Sequence, residues 1–213
     1  MDSTRILAIR HGETAWNVDT RIQGHLDIPL NETGQWQAQR LARALAAQDA
    51  IHAIYSSDLL RAHDTARAIA DATGAPLSTH QGLRERGFGI FEGKTYVEIE
   101  TTWPEDSQRW RQRDPHWAPL GGESLVQVRE RITHTLHELA ARHPGEQIVL
   151  VAHGGIMDQL YRAATGQDLQ APRTWGLTNT AVNRLLWTPQ ALSLVGWADT
   201  SHLDDASLDE TAT

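Results

Sequence analysis

A chain of 213 residues is long enough for one large domain with a real core, or for two small ones. Its net charge of −8 argues against general nucleic-acid or membrane-surface binding, so an anionic ligand has to be drawn by local positive charge. No cysteine means no disulfide and no thiolate metal site; no long apolar run follows Met1-Asp2-Ser3-Thr4-Arg5 or approaches a membrane span, so a cytoplasmic protein is expected.

The first element is a short buried strand over residues 5–10, which stops abruptly at Arg10-His11-Gly12. Arginine and histidine are unusual strand ends on packing grounds, and the glycine permits a sharp turn or a close approach. Residues 15–30 show no periodicity and contain Gly24 and Pro29, which predicts a long loop of the kind that carries function. Asn31 is placed to cap a helix over 32–48, with Ala38, Leu41, Ala42 and Leu45 on one face. A strand at Ala53-Ile54-Tyr55 leads into Ser56-Ser57-Asp58, any of which can cap a helix over 59–72 that ends at Gly74-Ala75-Pro76. Residues 77–94, with three close glycines, predict a shaped loop.

Residues 95–120 predict short helices separated by Pro104, Pro115 and Pro119. Gly121-Gly122-Glu123-Ser124 opens a helix to about Arg142, with Leu125, Val128, Ile132, Leu136 and Leu139 as its buried stripe. The opening pattern then recurs: Ile148-Val149-Leu150-Val151-Ala152 ends in His153-Gly154-Gly155 and is followed by a helix over 156–165. Strands over 182–187 and 192–197 flank Pro189, and an acid-rich polar tail, expected to be poorly ordered, runs from Asp199. Strands alternating with helices imply an α/β sandwich of three layers, a mostly parallel central sheet flanked by helices. The expected organisation is a single domain over 1–198, with a small helical lid insertion at about 86–120, and a tail over 199–213.

In such sheets ligands bind off the carboxyl ends of the strands. His11 and His153 both stand there, and the helix after Gly154-Gly155 aims its N-terminus at the same crevice. Arg10 and Arg61 are the best phosphate clamps, since a guanidinium fork matches phosphate oxygens. Taken alone, Arg61 reads as a surface arginine; a lone histidine reads as a satisfied core residue, but two His-Gly strand ends reverse that reading for His11. No His-Glu-x-x-His helix, Gly-x-Ser-x-Gly elbow or Walker loop occurs, so metal ligation, a serine triad and P-loop chemistry lack support. What remains is a histidine nucleophile attacking phosphorus.

The run Leu7-Ala8-Ile9-Arg10-His11-Gly12-Glu13-Thr14-Ala15-Trp16-Asn17 resembles the Arg-His-Gly signature of the histidine phosphatase superfamily, the phosphoglycerate-mutase-like proteins. Arg21-Ile22-Gln23-Gly24, Ser56-Ser57-Asp58-Leu59-Leu60-Arg61-Ala62, Leu83-Arg84-Glu85, Phe88-Gly89-Ile90-Phe91-Glu92-Gly93, Gly122-Glu123-Ser124 and Val151-Ala152-His153-Gly154-Gly155 follow in family order. The resemblance implies that His11 becomes a phosphohistidine, that Arg10, Arg61 and His153, the last as a cation if protonated, hold the phosphoryl group with Asn17, and that Glu85 is general acid and then base. His11 has to be neutral at its attacking nitrogen, so its other nitrogen should donate to a fixed acceptor such as a backbone carbonyl. Ion pairing to Arg84 or Arg86 is the competing reading of Glu85.

Gln23 and Gly24 are expected on the phosphate or leaving-group side, and Gly154 as a backbone N–H donor. Asn179 reads more readily as a turn residue than as a pocket residue, and Lys94 as a solvated lysine. Trp103, Trp110 and Trp117, spaced seven apart, are expected to pack the lid, with an apolar wall facing substrate as the alternative for one of them. The short interval from Glu85 to His153 and the Phe-Gly-x-Phe-Glu-Gly run resemble the phosphatase branch. The expectation is therefore a metal-independent phosphomonoesterase acting on a small phosphorylated metabolite, with no cofactor, as a monomer or homodimer. A cofactor-dependent phosphoglycerate mutase and a non-catalytic phosphate- or phosphoprotein-binding module are the alternatives.

Overall fold

The computed structural model describes residues 3–204. Six strands form one sheet: β1 (Thr4–Arg10), β2 (Ala53–Ser56), β3 (Leu77–Thr79), β4 (Gln147–Ala152), β5 (Val182–Thr188) and β6 (Ala191–Asp199), in the order β3-β2-β4-β1-β5-β6. The β2–β3, β2–β4 and β1–β4 pairs are parallel; β1–β5 and β5–β6 are antiparallel. β4 is buried along its whole length, as its unbroken apolar run requires of a central parallel strand.

The pleat divides the core. Leu7, Ile9, Val149 and Val151 face α2 (Glu32–Gln48) and α3 (Leu60–Thr73), meeting Leu41, Ala42, Leu45, Ala62, Ala66 and Ile69. Ile6, Ala8, Ile148, Leu150 and Ala152 face α6 (Leu125–Ala140) and α7 (Gly154–Thr165), meeting Val128, Ile132, Leu136, Leu139, Ile156 and Leu160. The expected stripes of α2 and α6 are thus the buried ones. Asn31 caps α2 by accepting from the Gly34 N–H at 2.8 Å, and Ser124 caps α6 in a box with Gln127.

A third apolar cluster, off the sheet, holds α4 (Tyr96–Thr102) and α5 (Pro104–Arg111). Phe91 is its fully buried centre, with the rings of Trp103, Trp110 and Trp117 at 5.7, 5.5 and 5.8 Å. The seven-residue tryptophan spacing is the signature of that packing.

Several expectations need correction. The segment 15–30 contains a one-turn helix, α1 (Ala15–Val18), nucleated by a capping box between Thr14 and Asn17. The segment 77–94 contains the edge strand β3 and two 3-10 turns, Gln81–Leu83 and Gly89–Phe91, too short to show a period. No helix continues between Arg111 and Ser124. α7 begins at Gly154, so the paired glycines form its first turn. None of Ser56, Ser57 and Asp58 caps the first N–H of α3; Asp27 reaches across and accepts from the Leu60 N–H at 2.7 Å. Asp58 is engaged by Arg84, at 2.6 and 2.7 Å. Of the tail expected from Asp199, residues 199–204 are held in place, with Arg40 donating to the carbonyls of His202 and Asp204 at 2.8 and 2.7 Å; residues 205–213 lie outside the described residues.

Asp27 is exposed, and the cap is its one side-chain hydrogen bond among the described residues. Asp27→Ala should lower the unfolding free energy by about 1 kcal/mol and Asp27→Asn by much less, read from urea midpoints at equal slope. Equal losses in the two variants would mean that the cap oxygen does not matter.

Candidate active site

β1 and β4 run in parallel with Arg10 opposite Ala152, and the His11 N–H donates to the Ala152 carbonyl at 3.0 Å. Both His-Gly turns therefore leave the sheet side by side, and the His11 and His153 rings lie 5.2 Å apart. Gly12 is needed for backbone contact rather than ligand contact: a Cβ there would stand 2.5 Å from the Gly34 carbonyl oxygen in the first turn of α2. The Gly12 N–H donates to Thr65 Oγ1 at 3.0 Å, and Thr65 in turn donates to the Arg61 carbonyl. The turn that carries His11 is wedged between α2 and α3.

His11 Nδ1 lies 2.7 Å from the Gly12 carbonyl oxygen. A carbonyl only accepts, so Nδ1 carries the proton and Nε2 keeps its lone pair. Burial, followed by the nearby guanidiniums of Arg61 and Arg10, holds the His11 pKa well below its ordinary value of 6.5. The neutral tautomer, with its lone pair on Nε2, is thus the resting form. His153 is depressed for the same reasons, burial first, then Arg61, His11 and Arg10. In the ligand-free protein His153 is therefore neutral and offers a single N–H.

Arg61 is fully buried and donates to the carbonyls of Gly24 and Leu26 at 2.8 and 2.9 Å. Burial lowers its pKa to about 10, which leaves it charged at neutral pH. Arg10 donates to the Leu177 carbonyl. Nε of both arginines and both ring nitrogens of His153 are buried with no partner among the described residues. The Nε–H groups of the two arginines and the single N–H of the neutral His153 are donors that are costly to leave unpaired, and an anion would complete them.

Glu85 stands opposite. It is not ion-paired: Oε1 accepts from the Arg86 backbone N–H at 2.8 Å and Oε2 from the Gly155 N–H at 3.0 Å, at the N-terminus of α7. Gly155 is therefore the glycine that the site requires, since a Cβ there would run into Glu85 Oε1; at Gly154 a Cβ would meet only ordinary contacts. Arg131 of α6 holds the loop under Glu85, donating to the carbonyls of Gly82, Arg84 and Glu85 at 2.9, 2.8 and 3.2 Å. Glu123 anchors Arg131 at 2.7 Å and accepts from the Gly87 N–H at 2.8 Å. His25 Nε2 also meets the Glu85 carbonyl, at 2.8 Å.

Arg10, His11, Asn17, Gln23, Gly24, Arg61, Glu85 and Gly154 all line one cavity of about 850 Å³; His153 is fully buried and not among the lining residues, its ring 5.2 Å from that of His11. Asn17 offers its Nδ2 there, because its amide oxygen is taken by Thr14. Gln23 Oε1 is buried without a partner among the described residues. Gly24 has φ +52° and lies against the Glu92 carboxylate, which a side chain would displace. Trp110 lines the cavity, stacked on Tyr96 with ring centres 5.1 Å apart, so one tryptophan of the three does form a wall. Lys94 is exposed and outside the cavity lining. Among the described residues, no group of three or more His, Asp and Glu side chains is placed to hold a metal ion.

The residues that sequence reasoning missed hold the site together. Asn179 does reach back, donating to the His11 carbonyl at 2.8 Å, while the Thr180 N–H donates to the Arg10 carbonyl at 2.9 Å. Gly155, Arg86, Arg113, Asp158 and Arg173 carried no separate signal, although Gly155 stood beside a chosen residue and all five lie at the cavity.

Two outcomes are expected. Gly155→Ala should cut turnover at least about tenfold by displacing Glu85, with little change in the unfolding midpoint; normal turnover would mean that the Gly155–Glu85 contact is dispensable. The two depressed histidines bind fewer protons folded than unfolded, so their contribution to stability is complete above pH 6.5 and is lost as the pH falls below it. Unfolding free energy should then drop with acidification by up to about 1.4 kcal/mol per pH unit for each histidine, and His153→Asn should flatten that slope. An unchanged slope would place the titrating groups elsewhere.

The family model of the histidine phosphatase superfamily, branch 1, matches residues 6–200. Phosphoglycerate mutase-like protein 4 of Arabidopsis thaliana is 40% identical, over 96% of this chain and 89% of the relative. The metal-independent phosphoserine phosphatase of the same plant is 37% identical, over 94% and 83%. The native structure of the mycobacterial glucosyl-3-phosphoglycerate phosphatase superposes with a TM-score of 0.83 at 33% identity, covering 93% of this chain and all of the other, 100%. No described helix is long and apolar enough to cross a membrane. The chain belongs to branch 1 of the histidine phosphatase superfamily.

Proposed function

We propose that the protein is a metal-independent phosphomonoesterase that hydrolyses small phosphorylated metabolites through a phosphohistidine on His11. The observation that carries this reading is the fixed tautomer: Nδ1 is committed to the Gly12 carbonyl, so Nε2 is the lone pair available to phosphorus. Nε2 attacks phosphorus, and the bond from phosphorus to the ester oxygen breaks as Glu85 passes a proton to that oxygen. Arg10, Arg61, Asn17 and His153 receive the charge on the phosphoryl oxygens. Water then attacks the phosphohistidine while Glu85 takes its proton, and the nitrogen–phosphorus bond breaks to release phosphate. Residues 1–198 act in this reading as one catalytic domain, with the segment around 86–120 as its lid. Gln23, Gly24 and Gly154 border the phosphoryl and leaving-group positions.

A relative named for phosphoserine hydrolysis supports phosphatase chemistry, and a relative named mutase-like keeps phosphoglycerate mutase as the second reading. The two share the first transfer and differ only in what captures the phosphohistidine. A binding module without chemistry is disfavoured because nucleophile, donors and acid converge on one cavity.

Phosphate release from a panel of phosphomonoesters tests the reading. Several small esters should be hydrolysed, EDTA should leave the rate unchanged, and His11→Ala should abolish both turnover and acid-labile labelling. Isomerisation of 3-phosphoglycerate without hydrolysis of any ester would decide for the mutase, and neither activity for the binder. Activity restored only by added metal would sink the metal-independent mechanism.

A further inference from the structure

The loop that grips Arg61 also reaches Glu85. Consecutive residues from Gly24 to Asp27 each cross-link distant segments. The carbonyls of Gly24 and Leu26 accept from the Arg61 guanidinium at 2.8 and 2.9 Å. Asp27 accepts from the Leu60 N–H at 2.7 Å, at the start of the helix that carries Arg61. His25, between them, turns the other way. Its backbone N–H donates to Glu92 Oε1 at 3.0 Å, and the same oxygen accepts from the Phe88 N–H at 2.9 Å. Its ring Nε2 lies 2.8 Å from the carbonyl oxygen of Glu85, 60 positions along the chain. A carbonyl only accepts, so Nε2 is the donor. The His25 side chain is exposed and does not line the cavity.

Glu85 needs this support because its own segment supplies none. It lies beyond the 3-10 turn Gln81–Leu83 and belongs to no helix or strand. Its carboxylate is held at the tip by the Arg86 and Gly155 N–H groups, at 2.8 and 3.0 Å. Both contacts are charge-assisted, and both weaken when the carboxyl takes up the proton that it has to deliver. The contacts at the Glu85 carbonyl do not depend on that proton. Among the described residues two side chains make them, Arg131 at 3.2 Å and His25 at 2.8 Å. The two differ in what they connect. Arg131 spreads its donors over Gly82, Arg84 and Glu123, and so relates Glu85 to α6. His25 relates Glu85 to the loop that orients Arg61.

Resting on the phosphatase reading, we propose that His25 is a positioning residue that fixes the general acid Glu85 relative to the phosphoryl clamp Arg61. From outside the cavity it touches neither substrate nor phosphorus. Its effect falls on proton delivery to the departing oxygen, which requires the acid within hydrogen-bond reach of that oxygen. A displacement of about 1 Å is enough to cost an order of magnitude or more in rate. An ester whose leaving group is weakly basic escapes the requirement, because its oxygen departs without a proton.

The leaving group therefore separates positioning from a merely structural role. kcat/KM covers the steps up to departure of the leaving group, so it is compared on p-nitrophenyl phosphate and on the best-hydrolysed alkyl ester of the panel. In His25→Ala it should fall at least about tenfold on the alkyl ester and no more than about threefold on the aryl ester. His25→Gln carries an amide N–H at a similar reach and should restore most of the loss. The position is exposed, so neither substitution opens a cavity in the core. Equal losses on the two esters, or no loss on either, would overturn the proposal and leave the phosphatase reading standing. A His25→Gln variant as impaired as His25→Ala would do the same, as would a wild-type protein that cleaves the aryl ester alone. Failure of the wild type to hydrolyse any ester would sink the phosphatase reading itself, and the proposal with it.

Discussion

The site depends on the parallel pairing of β1 with β4. That ladder sets Arg10 opposite Ala152 and thereby fixes where both chains leave the sheet. Every later placement follows: His11 beside His153, the α7 N-terminus beneath Glu85, and Arg61 brought in by α3, which packs on Leu7 and Ile9 of the same strand. A one-residue slip would turn every side chain of the strand to the opposite face. Leu7 and Ile9 would then face the helices that now cover Ile6 and Ala8, so core packing and catalytic geometry enforce a single register.

Charge in the site is managed by what the arginines are bonded to. Arg10 and Arg61 donate to the backbone carbonyls of Leu177, Gly24 and Leu26, and Arg86 to the Glu123 carbonyl. A carbonyl orients a guanidinium without neutralising it, so the positive potential at the pocket is kept for an anion. Outside the phosphoryl position the pattern reverses: Arg84 pairs with Asp58, Arg131 with Glu123, and Arg162 with Asp158. Glu85 is treated in the complementary way, bonded to backbone N–H groups and left out of any ion pair. The competing sequence reading, an ion pair of Glu85 with a neighbouring arginine, fails because Asp58 takes Arg84 and backbone carbonyls take Arg86.

The parts of the fold legible in the sequence are those with a period or a strong local stop. The strands ending in His-Gly, the stripes of α2 and α6, the Asn31 cap and the hairpin around Pro189 all have such signals. β3 has three residues and α1 four, below the length at which a period can show. The site was legible through residues whose own chemistry is distinctive, His11, His153, Arg10, Arg61 and Glu85. Their supports were not, because each is tertiary: Asp27 capping a helix that begins at Leu60, Asn179 holding the His11 carbonyl, and Arg131 carrying the Glu85 loop. Gly155 shows the limit well. Next to Gly154 it reads as one more flexible residue, and only the approach of Glu85 from seventy positions away makes its missing side chain a requirement.

The overall charge of −8 and an anion-receiving pocket are compatible because the two act over different distances. At physiological ionic strength fields from exposed acids decay over about 8 Å. The arginines of the pocket are buried or line a cavity with low-dielectric walls, where fields are screened far less. Several acids around the cavity are spent locally: Asp58 on Arg84, Glu123 on Arg131, and one oxygen of Asp158 on Arg113 and Arg162. The potential inside the cavity is therefore set by the charged groups around it, Arg10 and Arg61 among them, rather than by the formal charge of the chain. Net charge correctly argues against polyanion binding across the surface and says little about a single buried site, which is why the local motif at Arg10-His11-Gly12 outweighs the composition.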